Sequence, residues 1–277
     1  MGCGFPLLFG LTMPELVEVE IIKRQLEAKL LGKRFTKIEI KDPKIFKGDK
    51  NNILNSRITQ IKRIGKILII CFENNFCLAT HFKMSGRFVF EKESKNFNKV
   101  HNRAIFYLGK EKLIYNDIRR FGWLKVIKKD ELKDLLKNLG TDALEISFEE
   151  FEKIIKNSSR MIKGLLMDQT KISGIGNIYA NEILYLARIN PKTKGNNLTN
   201  KQLKDLYKAI TKVLKRALKF SGSSISSFIT TEAQKGNYQK HFYIYGRANR
   251  RCPRDKGIIK KINLLSRATY FCPICQK

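Results

Sequence analysis

Just after the start of the chain, Val19, Ile22, Leu26 and Leu30 recur at the three-and-four spacing of one helix face, and Glu15, Glu18 and Glu20 crowd its first turns. That pattern predicts an amphipathic helix opening at Pro14 and stopped by Gly32. The period then shortens. The runs RFTKIEI (34–40), ILIICFE (67–73), FCLATHF (76–82), GRFVFEK (86–92), RAIFYL (103–108) and KLIYN (112–116) read as strands, with Asn74-Asn75 and Gly109-Lys110 as turns. Strand after strand with no helix between them predicts an antiparallel sandwich or barrel.

The character changes over 138–147 (NLGTDALEIS), which reads as a linker. Helical segments follow: FEEFEKIIK (148–156), IKGLLMDQ (162–169) and, after the glycine-rich turn KISGIGN (171–177), IYANEILYLARI (178–189). A longer helix is opened by a Thr199…Gln202 capping box and carries Leu203, Leu206, Ile210, Val213, Leu214 and Leu218 on one face. The fold class is therefore α+β. Its parts are an N-terminal sheet domain over 14–137, the linker, a helical domain over 148–240 and a basic tail over 245–277, with residues 1–12 standing ahead as an extension.

Composition narrows the function. The 277 residues carry 55 Lys and Arg against 25 Asp and Glu, a net charge of +30. Such an excess repels itself unless a polyanion is the partner, which points to nucleic acid; a lysine-rich compositional habit is the alternative that charge alone leaves open. No apolar run reaches the ~18 residues of a membrane span. The opening FPLLFGL is too short and lacks the basic flank of a signal peptide, and Pro6 breaks the myristoylation pattern. A reduced cytoplasmic setting is expected, with Cys3, Cys71 and Cys77 as small buried hydrophobes.

The tail holds candidate metal chemistry. Cys272-Pro-Ile-Cys275 is one half of a zinc-knuckle pattern, and Cys252 stands where the other half is expected, but the partner position is Asp255. Residues 256–271 between the halves have the length of a β-hairpin finger. Two readings stay open: three thiolates plus Asp255 around one zinc ion, or a finger held by its hairpin with weak or absent metal.

MPELVEVE (13–20), RRFG (119–122), GIGNIYANE (174–182) and SRATYFCPICQK (266–277) occur in one order along the chain. Together they resemble the formamidopyrimidine-DNA glycosylases, base-excision enzymes for 8-oxoguanine and ring-opened purines, from Pro14 to Lys277. The resemblance implies an N-terminal β-sandwich with a leading helix, a helix-two-turn-helix domain and a β-hairpin zinc finger, working as a monomer on damaged double-stranded DNA. It also implies a second activity, cleavage of the strand at the abasic site.

The family's chemistry gives Pro14 a role. An N-terminal proline is the nucleophile that attacks the sugar's anomeric carbon and then forms an iminium, the electron sink for strand cleavage. A proline within a peptide bond has no such lone pair, so the resemblance implies a working chain that begins at Pro14, after removal of Met13, with residues 1–12 an upstream misreading or a removed leader. Proline at the first turn of a helix is also a common structural choice. By matching local motifs, Glu15 is implied as the acid beside the nucleophile, Lys66 in RIGKILII as a phosphate-touching lysine that assists elimination, and Arg267 as the finger's arginine. Met84, Arg119 and Phe121 match the set that fills the gap left by an extruded base, although a methionine and a phenylalanine are by themselves ordinary core residues. Asn177, at a helix start, is implied as a position that can present amides to a phosphate. Arg160 and Lys163 are implied phosphate contacts, and His101 in KVHNR a looser one.

Val17 and Ile118 stand where the family usually has proline, and Asp255 is the departure that bears on metal content. TTEAQKGNYQKHFYIYGR (230–247) resembles the loop that closes over 8-oxoguanine. With the Pro-Glu-Leu start, it favours this family over the related endonuclease VIII type, which prefers oxidised pyrimidines. A non-catalytic lesion-binding protein is the other alternative, if Pro14 stays blocked.

Overall fold

The computed structural model describes residues 13–92, 98–224 and 230–277. Helix α1 (Leu16–Leu30) opens with a capping box in which Glu15 and Glu18 exchange side-chain and backbone hydrogen bonds. Its buried residues lie on more than one face, because α1 packs on strands on one side and on a long helix on the other. It is the element shared by the two halves of the molecule.

Two sheets form the N-terminal half. One has the order β1 (Lys37–Ile40), β7 (Asn102–Leu108), β8 (Glu111–Asn116), β6 (Arg87–Phe90). The other runs β2 (Phe46–Lys47), β9 (Trp123–Lys128), β5 (Phe76–His81), β4 (Ile67–Phe72), β3 (Ile58–Ile64). Pairing is antiparallel, as the strand runs imply, apart from the short β2, which lies parallel to β9. Phe35, Phe72, Phe82, Phe88, Phe106 and Tyr115 are buried in one continuous core with α1.

Strands β3 and β9 lie outside the apolar runs picked out above. In β3 the register shifts between Ile58 and Gln60, so the apolar residues Ile58, Ile61 and Ile64 lose the period of two. In β9 Lys125 and Lys128 interrupt the run, although Leu124 and Val126 alternate inward.

Helix α2 (Leu132–Leu136) still belongs to the first half, its leucines packed on β4 and β5, and the second half holds α3 (Phe148–Lys156), α4 (Ile162–Met167), α5 (Asn177–Ala187) and α6 (Asn200–Lys219). Thr199 caps α6 through the expected box with Gln202. The segment over 138–147 is tied down. Its β10 (Thr141–Asp142) pairs in parallel with β11 (Ile172–Ser173), and Ala143 and Ile146 enter the core. A hairpin of β12 (Lys260–Leu264) and β13 (Arg267–Phe271) closes the chain and packs on α5.

Candidate active site

Glu15 is the centre. Its carboxylate, 3% exposed, crosses from the start of α1 to the N-terminus of α5. There it accepts hydrogen bonds from the amides of Gly176 (2.7 Å), Ile178 (2.9 Å) and Tyr179 (3.4 Å). An acidic group is favoured where helix amides lack internal partners. Gly176 is required by proximity, since a Cβ there would lie 2.2 Å from the Glu15 carboxyl carbon. Burial raises the Glu15 carboxyl above its ordinary value, while the nearby Lys66 charge and the three amides oppose the rise. Pro14, immediately before it, is buried.

A second carboxylate stands behind the first. Glu18 accepts from the Glu15 amide (3.0 Å), the Tyr179 hydroxyl (2.6 Å) and the Ser223 amide (2.9 Å). Burial, reinforced by the Glu15 charge, pushes it up to about 7. Lys66, 7% exposed, answers both acids; burial lowers its amine, and the two glutamates pull it back up. Lys83 and Arg267 are close enough to act on it electrostatically.

Lys66 is held by its turn. Gly65 adopts a left-handed φ of +56° and packs against Ser173, and its amide donates to Asp142 (2.9 Å). Asp142 also pairs with Arg63, whose Nε reaches Glu20 (3.0 Å). The linker acid thus pins the β3–β4 turn that carries the lysine.

A second cluster is exposed. The 117–122 loop is organised by Asp117, whose carboxylate accepts from Ser85 Oγ and from the amides of Arg119 (3.1 Å) and Gly122 (2.9 Å). The Arg119 amide also donates to Ser85 Oγ (2.9 Å), which brings the turn containing Met84 against this loop. The Arg119 guanidinium lies 4.8 Å from the centre of the Phe121 ring, and that ring is 53% exposed. Arg120, at a φ of +60°, turns back to Asp42 (2.6 and 2.9 Å). The His101 carbonyl accepts from the Asp117 amide (2.9 Å), so His101 borders the same loop.

The hairpin is fastened to α4 and α5. Lys163, fully buried, donates to Thr269 Oγ1 (2.6 Å) and the Ala268 carbonyl (3.3 Å). Asn177 also donates to the Ala268 carbonyl (3.1 Å), and Asn181 receives the Tyr270 amide (2.7 Å). Burial lowers the Lys163 amine to about 8. These bonds set Arg267 at the exposed start of β13.

Below the hairpin, Cys252, Asp255, Cys272 and Cys275 bring their ligand atoms within 4.8 Å of one another. The Cys252 and Cys275 sulfurs are 4.0 Å apart, and both Asp255 oxygens are 3.3 Å from the Cys272 sulfur. Donors around one tetrahedral ion with bonds of about 2.0–2.3 Å sit at such separations. The four residues therefore fit a single zinc ion.

Comparison with known proteins agrees with this geometry. The family model described as the formamidopyrimidine-DNA glycosylase N-terminal domain matches residues 13–124, and the one described as the formamidopyrimidine-DNA glycosylase H2TH domain matches residues 139–229. The formamidopyrimidine-DNA glycosylase of Pelotomaculum thermopropionicum is 37% identical over 275 residues, covering 96% of this chain and 99% of its own. That of Mycoplasma genitalium is 35% identical over 274 residues, covering 96% of each. Among solved structures, Lactococcus lactis Fpg in complex with an abasic site containing DNA has a TM-score of 0.88 at 31% identity, covering 95% of this chain and 99% of that one. This chain belongs to the formamidopyrimidine-DNA glycosylase family.

Against that family's pattern, the fold brings Pro14, Glu15, Lys66 and Arg267 to one seam, and Met84, Arg119, Phe121 and His101 to one loop platform. Arg160 lies apart from both, exposed and paired with Asp168 at 2.6 Å. The Lys163 amine is engaged by the hairpin, where it helps to place Arg267, and it does not face an open surface. Asn177 shares that task. Glu18, Lys83, Tyr179 and the Arg63–Asp142 pair join the site without having been singled out in the sequence. Tyr179 lies within the GIGNIYANE motif, but its partner Glu18 is far away in the chain. Glu182 of the same motif accepts the amides of Tyr243, Ile244 and Tyr245, each at 2.9 Å, and so anchors the end of the 230–247 loop.

Proposed function

We propose that the protein is a bifunctional base-excision glycosylase that removes oxidised purines from duplex DNA and then cleaves the strand at the abasic site, with the amine of Pro14 as nucleophile. The observation that carries this reading is the Glu15 carboxyl. It is buried beside Pro14, aimed at the α5 N-terminus and raised toward protonation. The secondary amine attacks the anomeric carbon, the glycosidic bond breaks, and the departing base takes up a proton. Glu15 is placed to give a proton at the sugar, and its raised value suits that task. The amine nitrogen then loses its own proton as the sugar ring opens, leaving an iminium. Loss of a proton from the adjacent carbon expels the 3′ phosphate, and water finally releases Pro14.

The remaining residues divide the labour. Lys66 and Arg267 supply positive charge to the flanking phosphates. Met84, Arg119 and Phe121 enter the stack vacated by the extruded base, which offsets an unstacking cost of a few kcal/mol. Zinc, when held by Cys252, Asp255, Cys272 and Cys275, stabilises the hairpin and takes no part in bond making. The enzyme works as a monomer in the cytoplasm; among the described residues no helix is long and apolar enough to cross a membrane. All the relatives and neighbours described above are formamidopyrimidine-DNA glycosylases, which leaves neither a pyrimidine-preferring relative nor a non-catalytic binder favoured.

Pro14 can act only if its nitrogen is free. The family match begins at residue 13, in keeping with translation from Met13 and removal of that methionine. The test is protein expressed from Met13, incubated with a duplex carrying one 8-oxoguanine and trapped with borohydride. A covalent adduct on the peptide that begins with Pro14 is expected. Tight binding with neither adduct nor strand cleavage would overturn the enzyme reading.

A further inference from the structure

Helix α6 has a face that the repair reaction leaves unused. Its buried residues, among them Leu203, Leu206, Ile210 and Val213, pack toward α1 and α5. On the other side stand Lys201, Lys204, Lys208, Lys212, Lys215 and Lys219, all exposed. At roughly 100° per residue the six fall within an arc of about 80°, centred on the side opposite the buried face, and no other residue type lies in that arc. They point away from α1 and α5, and so away from Glu15 and Asn177.

Among the described residues no carboxylate neutralises the charge on this ridge. Asp205 is the one acid in α6, and none of the six lysines forms an ion pair with a carboxylate among the described residues. Lysines three and four positions apart repel one another along the helix. A protein-binding surface has an apolar or aromatic centre and is depleted in lysine, whereas this arc holds lysine alone. Such a surface reads charge without reading shape or sequence. The ridge rises about 27 Å at 1.5 Å per residue, and duplex DNA presents a phosphate about every 3.4 Å along each strand. Several lysines can therefore meet phosphates at once.

We propose that the outer face of α6 is a second, sequence-independent docking surface for duplex DNA, separate from the proposed damaged-DNA site of the Glu15 seam and the Phe121 loop, called the cleft below. A molecule engaged in the cleft would hold a second DNA segment on its far side, and could pass between segments without fully dissociating. The inference rests on reading the cleft as the site for damaged DNA, and the test keeps the two apart.

Protein starting at Pro14 is first saturated with an unlabelled duplex carrying a tetrahydrofuran abasic analogue, and a fluorescent undamaged duplex is then titrated in. The wild type is expected to bind this second duplex. A K204Q/K208Q/K212Q/K215Q variant is expected to bind it at least tenfold more weakly, with its log–log salt slope reduced by about 3 to 4, near 0.9 per lysine. Its affinity for the lesion duplex should stay within about twofold of wild type. Second-duplex binding that survives in the variant, or is absent from the wild type, overturns the proposal. So does poly-glutamate binding as tight as that of DNA. If the lesion duplex itself failed to bind, the cleft reading would fall; the wild-type and variant comparison on undamaged duplex alone would still decide the ridge.

Discussion

In the proposed reading the corner around Glu15 and the loop around Phe121 serve the same damaged nucleotide, yet they are built in opposite ways. In the corner, two carboxylates and a lysine are buried together, with Glu15 wired to amides of a distant helix and Glu18 to the Ser223 amide. At the loop, one buried aspartate fixes the backbone while the functional side chains stand in solvent. The difference follows from the tasks. A proton and a nucleophile need fixed charges in a dry setting, where electrostatic interactions are strong. A wedge needs a rigid base and a bare apolar tip, because its burial partner is the DNA stack.

That contrast predicts separable losses. The largest expected effect is at Glu15: Glu15→Gln should slow base excision by about 10²–10⁴-fold, with lesion-duplex affinity nearly unchanged, measured by single-turnover cleavage beside equilibrium binding. A parallel collapse of binding would mean that the corner and the loop are not independent. Next comes Asp142→Ala, which leaves Arg63 buried without its main partner and should cost about 3–5 kcal/mol in urea unfolding. An effect below 1 kcal/mol would show that Glu20 alone suffices for Arg63.

The corner should also betray itself in the pH dependence of stability. Glu18 sits at about 7 in the folded protein against 4.5 ordinarily, so its contribution is full below about 4.5 and is lost as pH rises through 7. At about 1.4 kcal/mol per unit the drop is at most roughly 3.5 kcal/mol. Unfolding measured from pH 4.5 to 8 should show this decline in the wild type and a flatter profile in Glu18→Gln; equal slopes would remove Glu18 from the account. The smallest effect belongs to the loop. Phe121→Ala should weaken capture of the lesion duplex by about 1–3 kcal/mol, the worth of a stacked aromatic, while shifting stability by less than about 0.5 kcal/mol.

The same contrast decides how far the sequence could be read. α1, α6 and most strands follow from apolar period, and the wedge residues sit in short contiguous motifs. β3 escapes because its bulge at Thr59 destroys the period that marks a strand. The corner is only half visible. Glu15 and Lys66 lie in local motifs, but Glu18 acquires its role from Tyr179 and Ser223, and Arg63 from Asp142. No local pattern encodes contacts across such separations. For Lys163 the motif gives the residue and the three-dimensional structure gives the partner, Thr269 rather than an open surface.

Helix α1 has a bearing on how this chain can be divided and recombined. Its residues are buried from both halves, and Glu15 and Glu18 find their partners in the second. A fragment ending before the linker would keep α1 yet expose the apolar surface that α6 covers, while the complementary fragment would carry an α5 whose amides had lost their acid. Neither half is a transferable module. A chimera that exchanges the helical half with that of a relative should fold and react only when α1, with Pro14, Glu15 and Glu18, travels as part of the graft.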